Sequence, residues 1–227
     1  MDKSMRWVAI LIVALFPLFQ LNAKKVTPTE ATAKDSVSLI QRAFADLYTP
    51  GLELLRKTTR LDMIDYWKAD SVYKAKSELD GVAWLEALTD NYVKVRVTPV
   101  STVELKVLPA GKKKIVACVY TVGDSVQARD SQIDFYDETL RPLDRRKYFR
   151  APALSDFFNV PKGSSVSFRE IRAAVPFPTV AYSLSADSDN LSARLTVEDY
   201  ISKEDLELIS PYQKKSLEAV WKGSYRF

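Results

Sequence analysis

The chain has 227 residues, with Lys+Arg 33 against Asp+Glu 29, a net charge of +4, one cysteine and no histidine. Without histidine, Ser-His-Asp and Cys-His catalysis and histidine-built zinc sites are excluded, and a single cysteine cannot close an internal disulfide. The six glycines form neither a Walker loop nor a dinucleotide fingerprint, and the basic bias is too small to argue for nucleic acid.

Residues 1–23 have the three zones of a secretory signal peptide: Lys3 and Arg6, an apolar run from Trp7 to Phe19, and a short segment ending at Ala23. Cleavage is expected near Ala23. The apolar run stops well short of the roughly 20 residues a membrane-crossing helix needs. The remainder has no other candidate transmembrane segment, and a periplasmic or secreted location is expected.

Residues 24–33 ("KKVTPTEATA") read as a flexible lead-in. In "KDSVSLIQRAFADLY" the apolar positions Val37, Ile40, Phe44 and Leu47 recur at helical spacing. Thr49 followed by Pro50 offers a helix start for "PGLELLRK". The next segment, "RLDMIDYWKAD" at 60–70, raises the choice between an active site and a helix end. With Thr59 as N-cap, Asp62 completes a capping box and suits the positive end of the helix dipole. Leu61 and Ile64 then face the core, and Asp65 lies at its edge, paired with Arg60 or Lys68. The competing reading makes Asp62 and Asp65, with Asp134, the carboxylates of a glycan or peptidoglycan hydrolase. Two side chains on one helical turn do not straddle a substrate bond, so the structural cap is preferred and no catalytic residue is assigned.

Ser71-Val72-Tyr73-Lys74 and Ser188-Asp189-Asn190 match two penicillin-binding motifs. The third motif is missing, the first match sits in an extended stretch, and the second is better explained as a hairpin turn. From about residue 90, "NYVKVRV", "STVELKVL", "KIVACVYTV" and "SQIDFY" alternate with period two and are separated by turn residues, as in an antiparallel meander. Cys118 lies in the third of these and reads as a buried small hydrophobe.

The connector that follows carries Arg141, Arg145, Arg146, Lys147 and Arg150, with Tyr148 and Phe149 interleaved. A solvated loop is the plain reading; an anionic partner such as lipid head groups or acidic glycan is the functional one. "PTVAYSLSA" and "NLSARLTV" form a hairpin about Asp187–Asn190, and "SKEDLELIS" starts a helix capped by Ser202. Trp67, Trp84, Trp221, Tyr66, Tyr92 and Tyr225 could stack on sugars, but the periodicity places most of them in the core.

"RLDMIDYW", "ELDGVAWLEALTDNYVKVRVTPVSTVELKVLP" and "DSQIDFYDETLRPL" together resemble the domain-of-unknown-function family 3256, small exported proteins of Bacteroidales. The resemblance spans most of the chain after the leader. It implies an extracytoplasmic α+β protein and supplies no activity, cofactor or catalytic residue.

The expectation is therefore an α+β fold, with N-terminal helices packed on an antiparallel β-meander and a second C-terminal antiparallel β region. Residues 34–158 hold the helices and first meander, and 159–227 the C-terminal β region, in the same domain or a second one. The expected function is a non-enzymatic binding or interaction module of the cell envelope. Its partner would be envelope glycan, lipid or protein, and no cofactor or metal is expected. The alternatives are the carboxylate hydrolase and a soluble carrier of a lipid or small molecule.

Overall fold

A computed structural model describes residues 37–78, 81–123 and 128–227. The signal peptide and lead-in expected at 1–33 lie outside the described residues. Val37–Phe227 form one compact unit.

Helix α1 (Leu39–Asp46) is started by the Ser38 hydroxyl, which accepts from the Gln41 amide, and it buries Ile40, Ala43 and Phe44. Val37 precedes the helix and stays exposed. The chain then turns through Gly51, whose φ of 84° and close approach to Val103 and Tyr120 leave no room for a side chain. No helix opens at Pro50. A short 3-10 turn at Leu52–Leu54 follows, and the Thr49 hydroxyl instead accepts from Tyr136 at 2.9 Å inside the protein.

Helix α2 spans Lys57–Lys68 with Arg56 at its N-cap and no side-chain cap. It begins two residues before Thr59, so Thr59 lies in the first turn and Asp62 in the second. The expected Thr59–Asp62 capping box is not formed, because Arg56 already leaves the helical conformation at ψ 147°. The inward face carries Arg60, Met63 and Ile64; Leu61, Asp62 and Asp65 are exposed.

The main sheet begins before the meander expected from residue 90. Strands β1 (Ala75–Lys76), β2 (Val82–Leu88), β3 (Tyr92–Thr98), β4 (Ser101–Ala110), β5 (Lys113–Val122) and β6 (Asp130–Asp137) pair in chain order, every pair antiparallel. The two helices cover one face, where Ile40, Phe44, Met63 and Ile64 meet Val93, Val95, Leu105, Val116 and Cys118. The opposite face over β5 and β6 presents Ala117, Val119, Ile133 and Phe135 to a second core.

That second core is closed by the C-terminal part. After α3 (Arg145–Tyr148), β7 (Phe149–Arg150) and α4 (Phe168–Ala174) come β8 (Val180–Leu184) and β9 (Asn190–Leu195). Then follow α5 (Lys203–Ile209), β10 (Leu217–Val220) and β11 (Tyr225–Arg226). The order β10-β9-β8 makes a separate three-stranded antiparallel sheet, while β11 pairs in parallel with β7. Ser202 caps α5 by accepting from Asp205 at 3.0 Å. Tyr182, Leu184, Leu191, Ala193 and Leu195 pack against the main sheet, giving three layers: helices, main sheet, second sheet.

The edge of the second sheet is fastened to the first by side chains. The N–H groups of Val180, Tyr182 and Leu184 on β8 donate to Asp130 Oδ1 (3.2 Å), Ser131 Oγ (3.0 Å) and Glu104 Oε2 (2.6 Å). Alternate residues of a strand send their N–H to the same side, so an edge strand leaves such a row without backbone partners. Here β6 and β4 supply the acceptors.

Candidate functional site

Over β2–β4 the face of the main sheet turned toward the second sheet is polar. The register sets Tyr92 opposite Lys106, Lys94 opposite Glu104 and Arg96 opposite Thr102, with Trp84 opposite Arg96 on the other side. The Arg96 guanidinium lies 5.6 Å from the Trp84 ring centroid, a cation–π arrangement. Glu86 accepts from Arg96 Nε at 2.7 Å and pairs with Lys94 at 3.2 Å, and Lys94 stands 3.9 Å from Glu104. The result is a charged ladder running Arg96–Glu86–Lys94–Glu104.

Burial pushes the Glu104 carboxyl above its ordinary range, while donation from Leu184, the charge of Lys94, and the Ser183 and Tyr92 hydroxyls pull against it. Both oxygens accept from Ser183 Oγ, at 3.1 and 3.2 Å. Burial would raise Glu86 too, but its bonds to Arg96 and Lys94 overcome that and hold it below the ordinary value. Lys106 is only 1% exposed. Its ammonium donates to Ala186 O at 3.0 Å and Asn91 Oδ1 at 3.3 Å, pinning the β8–β9 turn. Desolvation lowers its pKa, against the pull of Asp189 and Asp187.

Beside this ladder a cleft of about 530 Å³ opens between the sheets. Lys94, Arg96, Thr102 and Glu104 line it from the main sheet, Ser183, Ser192 and Arg194 from the second, and Arg129 from the loop before β6. Arg194 stands 3.7 Å from Glu198 and its side chain is 46% exposed.

The basic cluster expected from sequence lies elsewhere, on α3 and β7. Asp144 caps α3 by accepting from the Arg146 amide at 3.1 Å. Arg145, Arg146 and Lys147 fan out from this one turn, and all three are exposed, as are Arg141 and Arg150. The interleaved aromatics do not join that surface. Tyr148 stacks toward Phe135 and Trp221, and Phe149 meets Tyr182 edge-on at 5.2 Å. The β7–β11 register adds a cation that sequence reading missed: exposed Arg226 lies beside Arg150. Seventy-odd residues separate the two, and no local pattern signals their pairing.

The three candidate carboxylates are not brought together by any contact. Asp62 and Asp65 are exposed on α2, and Asp134 is half-buried on β6, accepting from Gln132 at 2.5 Å. Arg60 turns inward rather than pairing with Asp65, and donates through Nη1 to Phe44 O (2.9 Å) and Leu47 O (2.8 Å). Ser71 does not open a helix, and Ser188 lies in the β8–β9 turn with its hydroxyl accepting from Asn190. Cys118 is buried and its thiol is pushed up to about 12. Trp221, Tyr92 and Tyr225 are core residues; Tyr66 is exposed and stacks on Tyr73 at 5.0 Å. No group of His, Cys, Asp or Glu among the described residues could hold a metal ion. No helix among them is long and apolar enough to cross a membrane.

A family model described as a protein of unknown function (DUF3256) matches residues 33–227. A domain of an uncharacterized protein from Porphyromonas gingivalis W83 is structurally similar, with a TM-score of 0.70 at 24% identity, covering 83% of this chain and 96% of that one. At that identity the likeness speaks for the fold alone. The curated proteins contain no match.

Proposed function

The chain belongs to the DUF3256 family, whose description names no activity, and we propose from its geometry a non-enzymatic binding module of the cell envelope, exported after loss of a leader ending near Ala23. The observation that carries this reading is the cationic surface of Arg141, Arg145, Arg146, Lys147 and Arg150, extended by Arg226. Its backbone is anchored by Tyr148 and Phe149, half-buried and packed against the second core. Among the described residues only Arg146 of this group has a carboxylate within ion-pair reach, Asp144 at 3.7 Å. A rigid mount presenting cations to solvent favours an anionic envelope component, phospholipid head groups or acidic glycan, over a catalytic role.

The hydrolase reading has less support. Glu86 and Glu104 are displaced in opposite directions, as in an acid–base pair. Yet Glu86 is engaged by Arg96 and Lys94, and Glu104 by β8, so each carboxyl already serves the fold. A lipid carrier meets a filled apolar core: Ile133 and Phe135 pack with Leu184, Leu191 and Leu195 where β6 faces the second sheet, none more than 3% exposed, and the cleft that remains open is the polar one over β3 and β4.

Co-sedimentation of residues 24–227 with peptidoglycan sacculi and with outer-membrane vesicles tests the proposal. Binding to one fraction, weakened at high salt by charge screening and lost in an Arg145→Gln, Arg146→Gln, Lys147→Gln triple variant, is the expected result. Failure to bind either fraction, or undiminished binding by the triple variant, removes it.

A further inference from the structure

We propose that the cleft between the two sheets is a separate binding site for a small acidic sugar, a hydroxyl-rich ring carrying one carboxylate or phosphate. The cleft's volume of about 530 Å³ lies in the range of small-molecule pockets, roughly 300–1,000 Å³. Four cations line it, Lys94, Arg96, Arg129 and Arg194, against one lining carboxyl, Glu104. That carboxyl is turned to the β8 backbone, where Leu184 N–H and Ser183 Oγ donate to it, and is 4% exposed. Glu86 offsets one further charge through Arg96 and Lys94, and Glu198 another through Arg194.

The arrangement is preorganised. Arg96 is held by Glu86 at Nε, by Pro99 O at 3.2 Å from Nη1, and by the Trp84 ring. Such a side chain loses little freedom on binding. Arg194 is the counterpart on the second sheet, and its only ion pair among the described residues is the 3.7 Å contact with Glu198. A planar guanidinium on each wall suits one oxyanion group, whether carboxylate or phosphate. Hydroxyls of Thr102, Ser183 and Ser192 line the cleft too; Ser183 already donates to Glu104 and keeps only its acceptor capacity, Ser192 has a long 3.5 Å contact to Ser183 O, and Thr102 can both donate and accept. That lining is predominantly polar, with Pro99, Ala181 and Tyr182 as its apolar part, and suits a hydroxyl-rich ring better than an acyl chain. This site is independent of the α3–β7 surface, so the two readings can fail separately.

The test is titration calorimetry of the full chain with glucuronic acid, glucose 6-phosphate, glucose and inorganic phosphate at millimolar concentrations. Saturable binding of at least one of the two acids, with none by glucose and weaker binding by inorganic phosphate, is expected. The tighter acid identifies whether the group is a carboxylate or a phosphate. Arg194→Gln should weaken binding about tenfold, the scale of one charge-assisted hydrogen bond. Glu198→Gln, which removes the competing carboxylate, should tighten it, an effect that damage to the fold would not produce. The triple variant of α3 should bind as the parent does. The proposal is overturned if neither acid saturates, if glucose or inorganic phosphate binds as tightly, or if both Arg194→Gln and Glu198→Gln leave the affinity unchanged.

Discussion

Replacing Arg60 by methionine tests whether a buried cation holds α1 onto the body of the protein. The guanidinium is 6% exposed and gives two hydrogen bonds to the carbonyls of Phe44 and Leu47, in and just after the last turn of α1. A helix end leaves such carbonyls without intrahelical partners, and here they are buried. Losing the donor strands two acceptors, at about 1–3 kcal/mol each. Against that, methionine removes the desolvation of the guanidinium, whose pKa is lowered by burial despite the nearby charge of Asp46. It also removes Nε, which among the described residues is buried without a partner. One such stranded donor is worth about 1–3 kcal/mol in the opposite direction. The difference is a net loss of about 2 kcal/mol, or roughly 1 M in urea midpoint for a slope near 2 kcal/mol/M. Urea unfolding followed by far-UV circular dichroism reads it directly. An unchanged or higher midpoint would refute the reasoning, placing Arg60 with those buried charges whose desolvation outweighs their bonds.

Three further outcomes follow from the same geometry. The folded state raises the Glu104 pKa above its ordinary 4.5, so it binds the proton more tightly than the unfolded chain does. The resulting stabilisation is full below the unfolded value and lost as pH rises through the folded one. Glu104→Gln should therefore gain stability relative to the parent as pH is raised above about 4.5, whereas Glu104→Ala, which strands the Leu184 N–H, should lose about 1–3 kcal/mol throughout; denaturant midpoints across acid to neutral pH separate the two. Gly51→Ala places a methyl 2.6 Å from Val103 Cγ2 at a φ of 84°, and should lower the melting temperature by at least about 4 °C, the equivalent of roughly 2 kcal/mol in a chain of this size. Cys118, buried with its thiol pushed up to about 12, should be silent to a thiol reagent in the native protein and react at once in denaturant; fast native labelling would contradict its placement.

The elements that sequence reading recovered are those whose pattern is local. Ile40 and Phe44 define α1, Ser202 starts α5, and β3 through β6 follow from β-rich runs parted by turn residues. In β5 both parities from Ile115 to Val119 are buried, because each face of the main sheet is covered; a central strand there reads as a continuous apolar run. Strand β2 was missed because "VAWLEAL" mixes alanine, leucine and glutamate, residues equally at home in a helix, and it takes pairing with β3 to decide. The cap at Thr59 failed for a related reason: Thr-x-x-Asp is a local signal, but the start of α2 is set by the burial of Arg60, Met63 and Ile64 against distant partners. The cleft left no trace in the sequence. Lys94, Arg96 and Glu104 look like the solvent side of alternating strands, and only the arrival of β8 and β9, some eighty residues on, encloses them.

The three acceptors under β8 also act as a registration device. Asp130, Ser131 and Glu104 meet N–H groups at alternate positions, so sliding β8 by one residue would turn all three donors away. Sliding by two would leave at least one acceptor bare, and a bare Glu104 would be a buried carboxylate with no donor, the costliest error of the set. The acceptors sit on β4 and β6 and come into line only when β5 has joined those strands. The second sheet therefore meets its full row of acceptors only where β4, β5 and β6 are paired.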